Sequence, residues 1–228
     1  MPKLILIRHG QSEWNLKNLF TGWTDVELSE QGREEARQAG EKIKAAGLLP
    51  QYYFTSYLKR AIHTLQIAAA AMDREWIPVV KDWHLNERHY GALQGLNKAD
   101  TAAKYGSEQV HIWRRSYDVE PPALTPDDPR NPAADPRYAA LSADETPLTE
   151  SLKLTIERVR CVWEEQIIPA LRHYGDVMIV AHGNSLRGLV MMLCKLTPDQ
   201  VLNLEIPTGS PWVFELDDHL GVIRDYKL

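Results

Sequence analysis

LILIRHG at residues 4–10 and VMIVAHG at residues 177–183 share one pattern: four apolar residues, one further residue, then His-Gly. A short apolar run bounded by polar residues reads as a buried strand of a parallel sheet, covered on both faces. In open α/β sheets, ligands bind outside the carboxyl ends of the strands. If these two strands are neighbours, His9 and His182 emerge side by side at that edge. Each is followed by glycine, which lets backbone approach a ligand closely. Each also precedes N–H groups suited to an anion, above all where a helix is expected to begin after Ser185.

Outward from these two segments, strands and helices alternate. Residues 30–46 read as a helix, with Ser29 as N-cap and Gly47 as stop. Strands are expected at 52–56 and 77–81, with helices at 57–72 and 185–194. Residues 211–216 and 222–226 suit a final hairpin. A long helix near 149–172 carries Leu152, Ile156, Val159, Trp163, Ile167 and Leu171 at steps of three or four, one core-facing stripe. This alternation points to an α/β fold with a mostly parallel sheet. A short helical piece, 107–117, leads into residues 116–147, which hold seven of the fourteen prolines and almost no periodicity. That stretch reads as a wrapped loop or insertion within one domain, not as a linker between two.

The chain's 228 residues suit one large domain able to bury a core without staples. Apolar content of 44% and charged content of 25% are those of an ordinary globular protein. No apolar window is long enough for a membrane span, and the start, MPKLILIRHGQSEW, reads as no signal peptide. The net charge of −5, with no long basic run, argues against nucleic acid or an anionic membrane as main partner. Cys161 and Cys194 both fall inside apolar helical patterns, which suggests core packing in a reducing compartment. Their spacing suits neither a disulfide framework nor a metal cage.

A histidine at a sheet edge serves as a base, a metal ligand or a satisfied polar group. Two in matched contexts favour function, and the cation Arg8 beside His9 favours an anion over a metal. Arg60 follows a strand by a few residues, Arg114 and Arg115 form a pair before the proline-rich stretch, and Lys98 follows a glycine turn. A guanidinium fork matches phosphate and carboxylate oxygens two at a time. Glu87 lies in a glycine-bounded, non-periodic stretch, NERHYGALQG (86–95), where a carboxyl either exchanges a proton with a substrate hydroxyl or is an ordinary loop carboxylate.

LIRHGQSEWN (6–15) resembles the signature of the histidine phosphatase superfamily. FTGWTDVELSEQG (20–32), ERHYGALQGLNK (87–98), WRRSYD (113–118), PLTESL (147–152), AHGNSLRGLV (181–190) and NLEIPTG (203–209) resemble one member family, the cofactor-dependent phosphoglycerate mutases. The likeness is colinear from residue 3 to about 226. It implies a three-layer sandwich with a mostly parallel central sheet flanked by helices. It implies interconversion of 3- and 2-phosphoglycerate in glycolysis and gluconeogenesis, through a phosphohistidine primed by 2,3-bisphosphoglycerate and without a metal. It further implies a cytoplasmic homodimer or homotetramer.

Carried residue by residue, the resemblance makes His9 the phosphorylated nucleophile, His182 the stabiliser of the transferring group, and Glu87 the general acid/base. Arg8, Ser12, Asn15, Arg60, Gly183 and Asn184 fall where that family holds phosphate. Thr21, Gly22, Tyr90, Lys98, Arg114 and Arg115 fall where it holds the glycerate body and the far anionic end. The chain stops at YKL (226–228), where many relatives carry a polar tail over the active-site mouth, and a missing lid would shift the balance toward hydrolysis. Two other readings are a phosphomonoester phosphatase of the same superfamily, which has no need of the second cationic end, and a catalytically dead phosphate-binding protein.

Overall fold

The computed structural model describes residues 1–228. Its centre is a six-stranded sheet of β1 (Lys3–Arg8), β2 (Tyr52–Thr55), β3 (Val79–Lys81), β4 (Val177–Ala181), β5 (Trp212–Leu216) and β6 (Val222–Lys227). The strand order is β3-β2-β4-β1-β5-β6. The pairs β3–β2, β2–β4 and β4–β1 are parallel, while β5 and β6 join antiparallel as the expected hairpin. The strands run mostly parallel, as the alternation of elements implied.

Successive strand residues point to opposite faces, and the core divides accordingly. Leu4, Leu6, Val177, Ile179 and Ala181 pack on one face with Val159, Trp163, Leu186 and Leu189. Ile5, Ile7, Met178 and Val180 pack on the other with Ala39, Ile43, Leu65 and Ala69. The first face is covered by α6 (Leu152–Val162), α7 (Ile168–Tyr174) and α8 (Gly183–Cys194), the second by α2 (Glu30–Ala45) and α3 (Lys59–Ala71). Helix, sheet, helix is the expected three-layer arrangement. Both faces are apolar because both are covered, so the strands read as unbroken hydrophobic runs.

Ser29 caps α2 by accepting from Gly32 N, as its sequence suggested. The long helix at 149–172 is instead α6 and α7 joined by a π turn, Trp163–Ile167, in which Ile168 N donates to Trp163 O. Pro169 lies just beyond, where a missing N–H forbids an ordinary helical bond. All six stripe residues are buried. Three helices went unread in the sequence: α1 (Glu13–Leu16), α4 (Lys98–Tyr105) and α9 (Pro198–Leu202), while α5 (Ser107–Arg115) matches the piece expected there. The cysteines do not both pack in the core, as their apolar neighbourhoods suggested. Cys161 is exposed and Cys194 half-buried, because Cys161 sits on the solvent side of α6, opposite the stripe.

The proline-rich stretch holds three single-turn 3-10 helices, Pro132–Ala134, Pro136–Tyr138 and Ala143–Glu145. It is tied down at separate points. Arg130 donates to Gln94 O, Arg137 pairs with Asp25, and the Tyr138 hydroxyl accepts from Asn86 Nδ2. No helix is long and apolar enough to cross a membrane.

Candidate active site

Strand register creates the site. Arg8 lies level with Ala181, and His9 N donates to Ala181 O at 3.0 Å. The next residues, His9 and His182, therefore leave the sheet together, with ring centroids 5.0 Å apart and both side chains buried. One boundary moves: α8 begins at Gly183, not after Ser185, with His182 itself as N-cap. Gly183 and Asn184 thus form the first turn, where backbone N–H groups have no helical partner.

The state of His9 follows from its neighbours. Its Nδ1 lies 2.7 Å from Gly10 O, and Arg60 Nε points at its Nε2 from 3.4 Å. A carbonyl only accepts and a guanidinium only donates, so the hydrogen sits on Nδ1 and the lone pair on Nε2. Burial, then the charges of Arg60 and Arg8, hold the ring's pKa well below its usual 6.5 against the opposing bond to Gly10. His9 is neutral at neutral pH, with the Nε2 lone pair facing cations.

Arg60 stands in the first turn of α3, fully buried. The helix has no capping side chain of its own at Leu58; Asp25 Oδ1 accepts from Lys59 N instead. Arg60 Nη2 donates to Gly22 O at 2.8 Å and Nη1 to Thr24 O at 3.0 Å. Gly22 has φ +55, and a Cβ there would lie 2.1 Å from Gln94 Oε1, so no other residue turns its carbonyl this way without displacing Gln94. Burial lowers the Arg60 pKa to about 10, with Glu87 and Asp25 opposing, so it stays charged.

Glu87 Oε1 accepts from Arg88 N at 2.9 Å and Asn184 N at 3.0 Å. Burial favours its neutral form, but the Arg88 N–H, Arg8, Arg60 and Asn184 outweigh it and its pKa falls below the usual value. It is a carboxylate with Oε2 left over. Its loop is clamped from below. Arg158 on α6 donates to the carbonyls of His84, Asn86 and Glu87. It also pairs with Glu150, whose Oε2 accepts from His89 N. Trp23 Nε1 donates to Glu87 O at 2.6 Å.

Two adjoining depressions open on these groups. The first is lined by Arg8, His9, Asn15, Thr21, Gly22, Arg60, Glu87, Tyr90 and Lys98, together with Leu19 and Phe20. The second shares Arg8, Glu87, Tyr90 and Lys98 and continues past Gly183 and Asn184 to Arg114, Arg115 and Arg187, with Ile206 and with Glu205, which pairs with Arg115. The two lobes form one cationic channel with His9 at one end. All the expected site residues line it except two. His182 packs behind His9 with no exposed surface. Ser12, also fully buried, caps α1: its hydroxyl accepts from Asn15 N while its own N–H donates to Asn15 Oδ1.

The sequence reading passed over Arg187, Arg88 and Ser56. Arg187 donates to Asn184 Oδ1 at 3.2 Å, which leaves the Asn184 amide nitrogen toward the Tyr90 hydroxyl. It lies one turn after Gly183 and so shares its face, a signal present in GNSLRG. Arg88 stacks on Tyr90, 4.5 Å from the ring centroid, and donates to Trp113 O and Arg114 O, fixing the end of α5 that carries the arginine pair. Nowhere do three or more His, Cys, Asp or Glu side chains gather as metal ligands would.

Comparison with known proteins bears on this geometry. A family model described as histidine phosphatase superfamily (branch 1) matches residues 4–228. A curated 2,3-bisphosphoglycerate-dependent phosphoglycerate mutase of Porphyromonas gingivalis is 52% identical over 228 residues, all of this chain and 92% of that one. Among solved structures, a mycobacterial glucosyl-3-phosphoglycerate phosphatase in complex with VO3 superposes with a TM-score of 0.73 at 24% identity, over 100% of this chain and 97% of the other. An alpha-ribazole phosphatase of Shigella flexneri superposes with a TM-score of 0.68 at 19% identity, over 97% and 94%. At that identity the two structures speak to the fold alone.

Proposed function

The chain belongs to the histidine phosphatase superfamily, branch 1, and on that premise we propose that it interconverts 3-phosphoglycerate and 2-phosphoglycerate as a 2,3-bisphosphoglycerate-dependent mutase. The observation that carries this reading is the joining of a neutral His9, its lone pair on Nε2, to a channel with cations at both ends. The 52% identical relative bears that activity in its name. A phosphatase gripping one phosphate has no need of the far lobe with Arg114, Arg115 and Arg187.

The channel fits the primer. Arg8 Nε, on the channel wall, is buried without a partner, and such an atom calls for an explanation; an anionic ligand supplies one. Arg8, Arg60 and Asn15 would hold one phosphate, and Lys98, Arg114 and Arg115 the other end. When bound, 2,3-bisphosphoglycerate supplies the phosphoryl group that charges His9.

His9 Nε2 is the nucleophile: its lone pair forms the N–P bond as the P–O bond to the donor breaks, and the departing oxygen takes a proton delivered through Glu87 to become the hydroxyl of the monophosphoglycerate. The transition state spreads charge over three equatorial oxygens, so positioning and cation donation do most of the work. Arg8 and Arg60 meet that charge from fixed positions, because Arg60 is pinned by two carbonyls and need not reorganise. For the return transfer, Glu87 takes the proton of the acceptor hydroxyl as its oxygen attacks phosphorus and the N–P bond breaks. The carboxylate state of Glu87 suits that role as base. Asn184, held by Arg187, and Tyr90 orient the glycerate between the lobes. We read residues 1–228 as one domain acting in the cytoplasm, without a metal, as a homodimer or homotetramer.

A coupled assay of 3- to 2-phosphoglycerate conversion, with and without primer, tests the reading. Primer-stimulated conversion and an acid-labile label on His9 from labelled primer are expected. Release of inorganic phosphate without isomerisation would favour the phosphatase reading instead.

A further inference from the structure

Three strand ends stand in a row at the site edge, in sheet order: Ser56 after β2, His182 after β4 and His9 after β1. His182 Nε2 lies 2.7 Å from Ser56 Oγ, while its Nδ1 is buried without a partner. Ser56 has no exposed surface, and its Oγ already accepts from Leu58 N at 3.1 Å. The hydroxyl's single hydrogen therefore needs an acceptor, and His182 Nε2 is the one within hydrogen-bonding distance. A buried hydroxyl left without an acceptor is costly, so Ser56 donates and Nε2 accepts. A neutral imidazole with its lone pair on Nε2 carries its hydrogen on Nδ1. In the other tautomer the serine hydrogen is stranded.

We propose that Ser56 is a positioning residue that fixes the tautomer of His182, so that Nδ1–H becomes the donor offered to the phosphoryl group on His9. The tautomer itself stands on geometry; the use made of it rests on His9 being the phosphoryl carrier. With ring centroids 5.0 Å apart, a phosphoryl oxygen on His9 Nε2 comes within reach of a donor on the neighbouring ring. The Ser56 hydroxyl thus acts through His182 without touching substrate.

The test is the long-range ¹H–¹⁵N spectrum of the imidazoles in the full unliganded chain, with His182 assigned by its loss in His182→Asn. The wild type is expected to carry the His182 hydrogen on Nδ1. Ser56→Ala is expected to move it wholly or partly to Nε2 and to slow labelling of His9 by 2,3-bisphosphoglycerate about 100-fold, with KM for monophosphoglycerate little changed. Ser56→Thr, which keeps the hydroxyl, should keep the tautomer and the rate. A wild-type hydrogen on Nε2 overturns the proposal whether or not the variants fold, as does a Ser56→Ala protein with unaltered tautomer and labelling rate. A wild type with hydrogen on Nδ1 but no label on His9 upholds the tautomer and overturns the phosphoryl-transfer reading.

Discussion

Arg60 shows why the charge type at a position matters less than its shape. Three of its nitrogens are aimed at three fixed acceptors: Gly22 O, Thr24 O and His9 Nε2. A lysine keeps the charge but has one nitrogen and no planar fork. Arg60→Lys is therefore expected to slow phosphorylation of His9 by about 10²–10³-fold, measured by rapid-quench labelling, with the fold intact by circular dichroism. In the far lobe, Arg187→Met should act on binding, raising KM for monophosphoglycerate several-fold through the freed Asn184 amide while the labelling rate stays near wild type. Steady-state kinetics beside single-turnover labelling separate the two effects. These arginines also mark how far a single sequence can be read. The His-Gly echo exposed His9 and His182, because a strand end is a recognisable place. Arg88 and Arg187 looked like any solvated arginine, since their burial depends on α5 and α8 closing over one channel.

Helix packing sets limits that substitution will reveal. Gly40 on α2 faces α3 so closely that a Cβ would lie 2.3 Å from Ala68 O and 2.8 Å from Ala71 Cβ. Gly40→Ala should push the two helices apart at a cost of about 1–3 kcal/mol, read as a lower urea midpoint with activity per folded molecule unchanged. On the opposite face, the buried Glu150–Arg158 pair joins α6 to the loop of Glu87. Glu150→Gln leaves a buried guanidinium unpaired, and a loss of about 3–5 kcal/mol is expected. Glu150→Gln combined with Arg158→Met should recover part of the stability but not kcat, because the three carbonyls around Glu87 then lack their clamp. Denaturant titration and steady-state rates on the three proteins check this. The α6–α7 stripe was legible as a face but not as a π turn. From Val159 to Leu171 it advances by three steps of four, and each step overshoots an α-helical turn by about 40°. The wider π turn absorbs that drift, so the spacing held the clue. Cys161 was misread for the opposite reason: an apolar neighbourhood in sequence is not a buried side of a helix.

For the molecule as a whole, buried neutral histidines tie stability to pH. His9, His182 and His89 all have folded pKa values pushed down by burial first and cationic neighbours next, His89 to about 3. In the unfolded chain they titrate near 6.5. Between the folded and unfolded values the unfolded state binds more protons, so stability rises with pH across that window and is lost as pH falls below about 6.5. Each histidine contributes a slope of up to about 1.4 kcal/mol per pH unit. His89→Gln, which keeps an acceptor for Gly91 N, should flatten the slope by one such share when urea midpoints are compared from pH 7 to pH 5. The three-layer plan was readable from the order of elements. The path of residues 116–147 was not, because its anchors at Gln94, Asp25 and Asn86 come from distant segments and follow no periodicity. The sheet order carries a consequence for synthesis. In the sheet, β1 (Lys3–Arg8) lies between β4 (Val177–Ala181) and β5 (Trp212–Leu216), both of which leave the ribosome long after it. His9 therefore waits through the synthesis of residues 9–177 before the strand that carries His182 beside it can pair. Nascent chains stalled before residue 177 are expected to be cut readily by protease and to take no label from the primer, whereas full-length released chains gain resistance and label together.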